Sequence, residues 1–413
     1  MKRLILITDV FPFGKGEKSF ILPELEYLKK EFKVTVLSRA PLRISENEED
    51  TTMLDPEIEV LHYPEPELTS KIKYRYLLSA CVSRELFSEI IDVIKDKKSF
   101  YCIKETYLFW LRSVLLEKWM EKNNLFKNCG STIFYSYWAN HSVLTLSRAK
   151  KKNNAIKFLS RIHGYDLYHE RFPGGRQPFK KYIDAWIDKV VFIAKVGYEY
   201  YMEHHSINGS AEKYSVCRMG VRKPIAYPKR MQENVFRIVS CSAVSDLKRV
   251  DLIVRALGKI DFEVEWHHFG DGREMEKVTV LAEQMLNGKQ NISYYFHGHT
   301  LNKEVLEFYQ NNWIDCFITT SSSEGCPVSI QEALSYGIPI IGTDVGEIKY
   351  MISGNGFLLP ANPTEDMVAK RISDLYENIK DDDLLRQNSL DMWKKYYQLE
   401  KNTYEFIDII NSI

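Results

Sequence analysis

An unbroken apolar run, "LILI" inside "RLILITDV", opens the chain and gives way at once to a glycine-containing loop. A short run of this kind reads as a strand buried on both faces. A helix-period segment follows, "SFILPELEYLKKEF", and then a second apolar run, "VTVLSRA". That β-α-β order predicts a parallel sheet. Residues 41–70, rich in acids and prolines, predict an excursion, and the tyrosine-rich stretch 71–128 predicts helices. Strands return at "TIFYSYW", "IKFLSRIHG" and "KVVFIA". Around 222–235 two prolines and little periodicity predict a linker. Beyond it the alternation restarts, with strands at "FRIVSCSAV", "EVEWHHFGDG", "ISYYFHGH", "DCFITTS" and "PIIGTD". The aromatic-rich tail, with Trp393, Tyr397 and Phe406, predicts a terminal helix docked on something. The expected fold class is α/β: two facing Rossmann-like parallel-sheet domains at 1–222 and 223–385, with helix 386–413 crossing back onto the first.

Composition narrows the function. A chain of 413 residues, 45% hydrophobic, fills two cores. Lys+Arg and Asp+Glu both number 56, which argues against nucleic acid as a partner. No apolar run reaches membrane-spanning length, and the apolar start is too short for a signal peptide and is followed by a phenylalanine-rich loop. Seven cysteines, odd in number and without a CxxC pair, predict reduced thiols in a cytoplasm. The basic runs "RAKKKNN" (148–154) and "KDKK" (95–98) leave open peripheral contact with the inner face of a membrane, although such runs are more often solvated faces.

The chemistry concentrates in "SSSEGCPVSIQEALSYG" (321–337), which follows a short strand. Pro327 at a first helical position leaves the N–H groups of Val328 and Ser329 without helix partners, an anion site. Gly325, beside Cys326, lets a ligand approach the backbone. Glu324 stands at the mouth, and Glu332, a turn and a half into the helix, lies near the same face. A nucleoside diphosphate sugar uses all three features: diphosphate on the helix end, ribose on Glu332, sugar hydroxyls on Glu324. Neither His nor carboxylate ligands stand at metal spacing, so no metal and no cofactor are expected. In the first half, Gly14 and Gly16 form GxG without the third glycine of a dinucleotide fold, which argues against NAD. His163, Gly164 and Asp166 follow a strand end, and Tyr137 and Trp138 in "YSYWANHS" suit the apolar faces of an acceptor sugar.

The stretch "EGCPVSIQEA" resembles the signature of the retaining glycosyltransferases of family 4, which have the GT-B fold. "YGIPIIGTDVGEI" matches the same family's turn, strand and glycine loop, and the resemblance spans about 236–360. It implies Lys248 on the donor diphosphate, with Ala243 at the position of the usual Arg and Arg249 compensating. It also implies His163 near the donor sugar, a Gly16 loop toward the donor phosphate or the acceptor, Gly298 in a turn framing the base, and Asp166 with Tyr137 and Trp138 on the acceptor side. "FPFGKGEKSFILPEL" and "RIHGYDLY" are similar to the colanic acid/amylovoran-type enzymes that build bacterial capsule and exopolysaccharide. The implied function is metal-independent, retaining transfer of a hexosyl group from a nucleotide sugar, UDP-sugar by preference, to a saccharide or lipid-linked saccharide. The alternatives are a nucleotide-sugar epimerase of GT-B architecture and a catalytically inert partner protein.

Overall fold

The computed structural model describes residues 1–41, 54–207, 209–230, 235–378 and 383–413. Parts of the 41–70 excursion and of the 222–235 linker therefore lie outside the described residues. The chain forms two compact units, Met1–Arg218 with Glu400–Ile413, and Met219–Leu399.

In the first unit, seven strands form a parallel sheet in the order β3-β2-β1-β4-β5-β6-β7. They are β1 (Lys2–Thr8), β2 (Phe32–Ser38), β3 (Glu59–His62), β4 (Thr132–Ser136), β5 (Lys157–Ile162), β6 (Lys189–Phe192) and β7 (Tyr214–Val216). The "LILI" run is buried because both faces are covered. Leu4 and Leu6 enter one core with Leu25 and Leu28 of the helix Lys15–Glu31. Ile5 and Ile7 enter the other, with Trp110, Leu116 and Leu144 from the helices Phe100–Lys122 and His141–Lys152. Strands β3 and β7 go beyond the sequence reading: three or four residues are too few to show a period.

The second unit repeats the plan with six parallel strands in the order β10-β9-β8-β11-β12-β13. These are β8 (Phe236–Cys241), β9 (Val264–Phe269), β10 (Ile292–Phe296), β11 (Cys316–Thr319), β12 (Ile340–Thr343) and β13 (Gly356–Leu359). Ile238, Ile318 and Ile341 fill one face; Val239, Phe317 and Ile340 fill the other.

The tail is two helices rather than one. Leu384–Tyr396 stays with the second unit, where Trp393 is buried among Ile330 and Leu334 and the Ser389 hydroxyl donates to the Ile338 carbonyl at 2.9 Å. Only Leu399–Asn411 returns to the first unit, burying Phe406 and Ile410 beside Tyr135. The division thus falls at 218/219 and 399/400, not at the expected 222/223 and 385/386. Gly220 is required beside the second crossing, since a Cβ there would meet the Leu399 backbone at 2.6 Å.

Candidate functional site

In the second sheet, β8 has β9 on one side and β11 on the other, so the chain reverses its winding between β8 and β11. Open parallel sheets leave a crevice at such a point, beyond the strand carboxyl ends. The β8 loop carries Lys248 and the β11 loop carries Glu324, and the two meet: Lys248 Nζ lies 2.5 Å from Glu324 Oε1. Residues 76 apart in sequence become partners because their strands are neighbours.

Three contacts hold Glu324 in place. Ser322 N–H donates to the Leu247 carbonyl at 2.7 Å, the Thr343 hydroxyl donates to the Ser321 carbonyl at 2.6 Å, and Glu347 N–H donates to the Gly325 carbonyl at 2.9 Å. The last brings the loop after β12 hard against residues 324–325. Gly346 sits there at φ +53°, and a Cβ on it would lie 2.1 Å from the Glu324 carbonyl oxygen.

The helix behind this loop runs Val328–Ser335. Pro327 is not its first residue, as expected, but stands one place ahead in extended backbone (φ −65°, ψ 120°). The first-turn N–H groups are therefore those of Val328, Ser329 and Ile330, which have no helix carbonyl to meet. Glu332 is buried on this helix, and its Oε1 accepts from Asn302 Nδ2 at 2.7 Å. Burial pushes its carboxyl up to about 7, against the opposing pull of Asn302.

This shift carries a stability prediction. The folded carboxyl holds a proton more tightly than the unfolded one, so stability falls as pH rises from the ordinary carboxylate range to about 7 and is level above it. The ionised form costs roughly 3 kcal/mol by the usual conversion of a shift this size. Glu332→Gln is expected to raise the melting temperature at pH 8 and to change it little at pH 5, as thermal melts at the two pH values will show.

Arg249 does not take the place expected of it. It occupies the left-handed region at φ 49° and spends its guanidinium on protein acceptors: Thr320 O at 2.6 Å, Ser321 O at 3.0 Å, Ala361 O at 2.8 Å and Asn362 Oδ1 at 3.0 Å. It clamps the β8 loop to the β11 loop and is not free to replace the arginine absent at exposed Ala243. Gly298, at φ 65°, lies in the turn after β10 and its carbonyl accepts from Gly270 N–H at 2.9 Å, which ties the turns after β9 and β10 together.

The first unit carries the remaining candidates. His163 is buried after β5, its ring hydrogen-bonded to the Tyr137 carbonyl and 4.4 Å from the Trp138 ring. Burial, with Arg161 nearby, lowers it to about 3, so the imidazole is neutral and its buried Nε2 has no protein partner. Both Asp166 oxygens are engaged by backbone: Oδ1 accepts from His163 N–H at 2.7 Å and Oδ2 from Ala139 N–H at 2.6 Å. It staples the β5 loop to the β4 loop. Tyr137 is 1% exposed, a core residue that no acceptor reaches. Trp138 is half-buried and donates its indole N–H to Glu17. Gly16 lies in the first turn of the helix Lys15–Glu31 and not in a loop.

Two first-unit groups escaped the sequence reading. Glu17 Oε2 accepts from the N–H groups of Val10 and Phe11, both at 2.7 Å, and so shapes the loop after β1. A cavity of about 800 Å³ opens at the strand carboxyl ends, lined by Asp9, Arg39, Glu65, Arg112, Asn140 and His141. Arg39 is buried at its wall and ion-pairs with Asp9 and with Glu65, the latter at 2.6 Å. Arg39 and Asp9 both follow strand ends, a signal that the strand pattern already held.

Both units, and their order along the chain, match solved GT-B structures over the full length. One is Anabaena Alr3699/HepE in complex with UDP, 13% identical with a TM-score of 0.69, all of each chain being covered. Residues 224–392, most of the second unit, match the family model "Glycosyl transferases group 1". Among curated relatives, the GtfA subunit of the UDP-N-acetylglucosamine–peptide N-acetylglucosaminyltransferase of Streptococcus agalactiae is 29% identical over 135 residues, 31% of this chain and 25% of that one. The O-antigen biosynthesis glycosyltransferase WbnH of Escherichia coli is 28% identical over 187 residues, 42% of this chain and 52% of that one. The chain thus spans between a quarter and about half the length of these relatives.

Proposed function

We propose that the protein is a retaining glycosyltransferase of family 4 that moves a hexosyl group from a nucleotide sugar to a saccharide or lipid-linked saccharide in bacterial surface polysaccharide synthesis. The observation that carries this reading is the Lys248–Glu324 pair at 2.5 Å, set at the open N-terminus of the helix that also holds Glu332. The diphosphate takes the N–H groups of Val328, Ser329 and Ile330 together with Lys248. The ribose hydroxyls meet Glu332, and the donor sugar's hydroxyls meet Glu324. His163 of the first unit, neutral and with no protein partner on its buried Nε2, is a candidate to accept a hydroxyl hydrogen bond. UDP is the favoured nucleotide because HepE was solved with UDP and GtfA is named for a UDP-sugar donor. WbnH supports the polysaccharide setting.

In the reaction, the bond from the sugar's anomeric carbon to the β-phosphate oxygen breaks, and its electron pair stays on that oxygen. Lys248 and the helix N-terminus hold the new charge, which is larger in the transition state than in the bound donor. The phosphate oxygen takes the acceptor hydroxyl's proton, and the acceptor oxygen bonds to the anomeric carbon on the face the phosphate left. Neither Glu324 nor Glu332 serves as a nucleophile here.

The test is a thermal-shift and hydrolysis panel of UDP-, GDP-, ADP- and dTDP-sugars with EDTA present. One nucleotide, expected to be UDP, raises the melting temperature by several degrees, and Glu332→Ala reduces that shift. No shift with any nucleotide would sink the donor site. Release of an interconverted sugar nucleotide in the same panel would favour epimerisation instead.

A further inference from the structure

Segment 70–101 of the first unit packs Ile72, Tyr76, Ala80 and Ile90 against the core but leaves several other apolar residues outside. The helices Ser70–Arg75 and Leu77–Cys81 bury no residue fully. Leu78, Val82 and Phe100 are 83%, 79% and 81% exposed. On the helix Arg84–Lys95, Leu86, Glu89 and Val93 face inward. Phe87 and Ile94, seven residues apart, share the neighbouring stripe and are exposed, and Arg84 and Lys95 come next around the helix. Exposed apolar residues scattered singly are ordinary, but several within one segment, beside exposed cations, mark a contact surface.

The charges say what the contact is. Segment 70–101 holds seven Lys and Arg against four Asp and Glu. Three of the four acids are neutralised by arginines outside the segment: Glu85 by Arg148, and Glu89 and Asp96 by Arg176. Asp92 alone is left, 3.9 Å from Lys95. The cations at 95, 97 and 98 are exposed between Ile94 and Phe100. The second basic run behaves differently. In 148–154, Arg148 serves Glu117 as well as Glu85, Lys150 serves Asp188, and Lys152 serves Glu117 and Glu121. Of the two runs, only 95–98 borders the apolar face.

We propose that this face docks on an anionic phospholipid bilayer, with Leu78, Val82, Phe87 and Phe100 entering the headgroup–acyl boundary and the surrounding lysines and arginines meeting the headgroups. Apolar side chains within a cationic border fit an interface that is greasy in depth and negative at its rim. The inference goes beyond the donor-site reading and does not need it, so either can fail while the other stands.

The experiment floats the full chain with vesicles of phosphatidylcholine alone and with phosphatidylglycerol added. The wild type is expected to rise with the anionic vesicles and to stay behind with the neutral ones. Lys95→Gln/Lys97→Gln/Lys98→Gln is expected to lower partitioning about a hundredfold. Leu78→Ser/Val82→Ser/Phe87→Ser is expected to weaken it as well. Both variants alter exposed side chains, so their melting temperatures and nucleotide shifts are expected to match the wild type and serve as the folding control. No flotation with anionic vesicles, or flotation unchanged in both variants, overturns the proposal. So does self-association that the serine variant abolishes without any vesicle binding, which would assign the face to a second copy of the chain.

Discussion

Lys248→Ala is expected to slow sugar transfer about 10²–10³-fold, with a much smaller loss of nucleotide affinity. The reason is where its charge acts. On the proposed reading the bound donor already carries a delocalised diphosphate, held in part by the N–H groups of Val328, Ser329 and Ile330. As the anomeric bond breaks in the proposed reaction, a further negative charge gathers on the leaving oxygen, and a cation fixed beside it gains from that change. Lys248 is fixed, because its side chain is held at Glu324 and its own carbonyl accepts from the Thr320 hydroxyl at 3.2 Å. Arg249 cannot substitute, since its fork is bound to residues 320, 321, 361 and 362. Lys248→Arg keeps the charge on a longer, planar head and should recover part of the rate but not all. Single-turnover transfer at saturating donor separates the chemical step from binding. Equal losses in rate and in nucleotide affinity would reassign Lys248 to ground-state binding.

Gly346→Ala, a change of one methyl group, is expected to cost transfer on the order of a hundredfold while leaving the fold intact. Two penalties coincide. The φ of +53° suits glycine and costs an L-residue about 1–2 kcal/mol. The new Cβ would also stand 2.1 Å from the Glu324 carbonyl oxygen and 2.8 Å from its carbonyl carbon. Backbone cannot yield as a flexible side-chain end does, so the β12 loop and the Glu324–Gly325 backbone must separate. The movement needed approaches an ångström, a misplacement that in an active site costs about two orders of magnitude. Circular dichroism and melting should show a folded protein with modest destabilisation. Full activity in Gly346→Ala would mean that Glu324 does not need the position it holds here.

Features that depend on period and on strand ends were readable from the sequence. "LILI", "VTVLSRA", "FRIVSCSAV" and "DCFITTS" are buried strands because each face of each sheet is covered, and buried strands are apolar without interruption. The rule that ligands gather beyond strand ends at a winding reversal then brings the Lys248 and Glu324 loops together. What depends on a single backbone angle or on long-range packing was not readable. Arg249 looked like a cation for phosphate; its left-handed backbone turns the guanidinium toward carbonyls 71 and 112 residues away. Asp166 looked like an acceptor ligand; the sequence did not show that it also takes two N–H groups from separate loops. Tyr137 looked like a sugar platform, yet it points from the β4 end into the core that the returning terminal helix completes. The Arg39–Glu65 wall of the first-unit cavity joins the ends of two neighbouring strands, one of them only four residues long.

The central claim is that a nucleotide diphosphate binds at the N-terminus of the helix Val328–Ser335 beside Lys248. Amide hydrogen exchange tests it most directly, comparing the protein alone and with the nucleotide that gives the largest thermal shift. The expected result is slowed exchange at residues 325–330 and in the loop that carries Lys248, with the protection at 325–330 reduced in Lys248→Ala. Protection confined to other segments, or none at 325–330 under saturating nucleotide, would contradict the claim and move the donor site elsewhere in the protein.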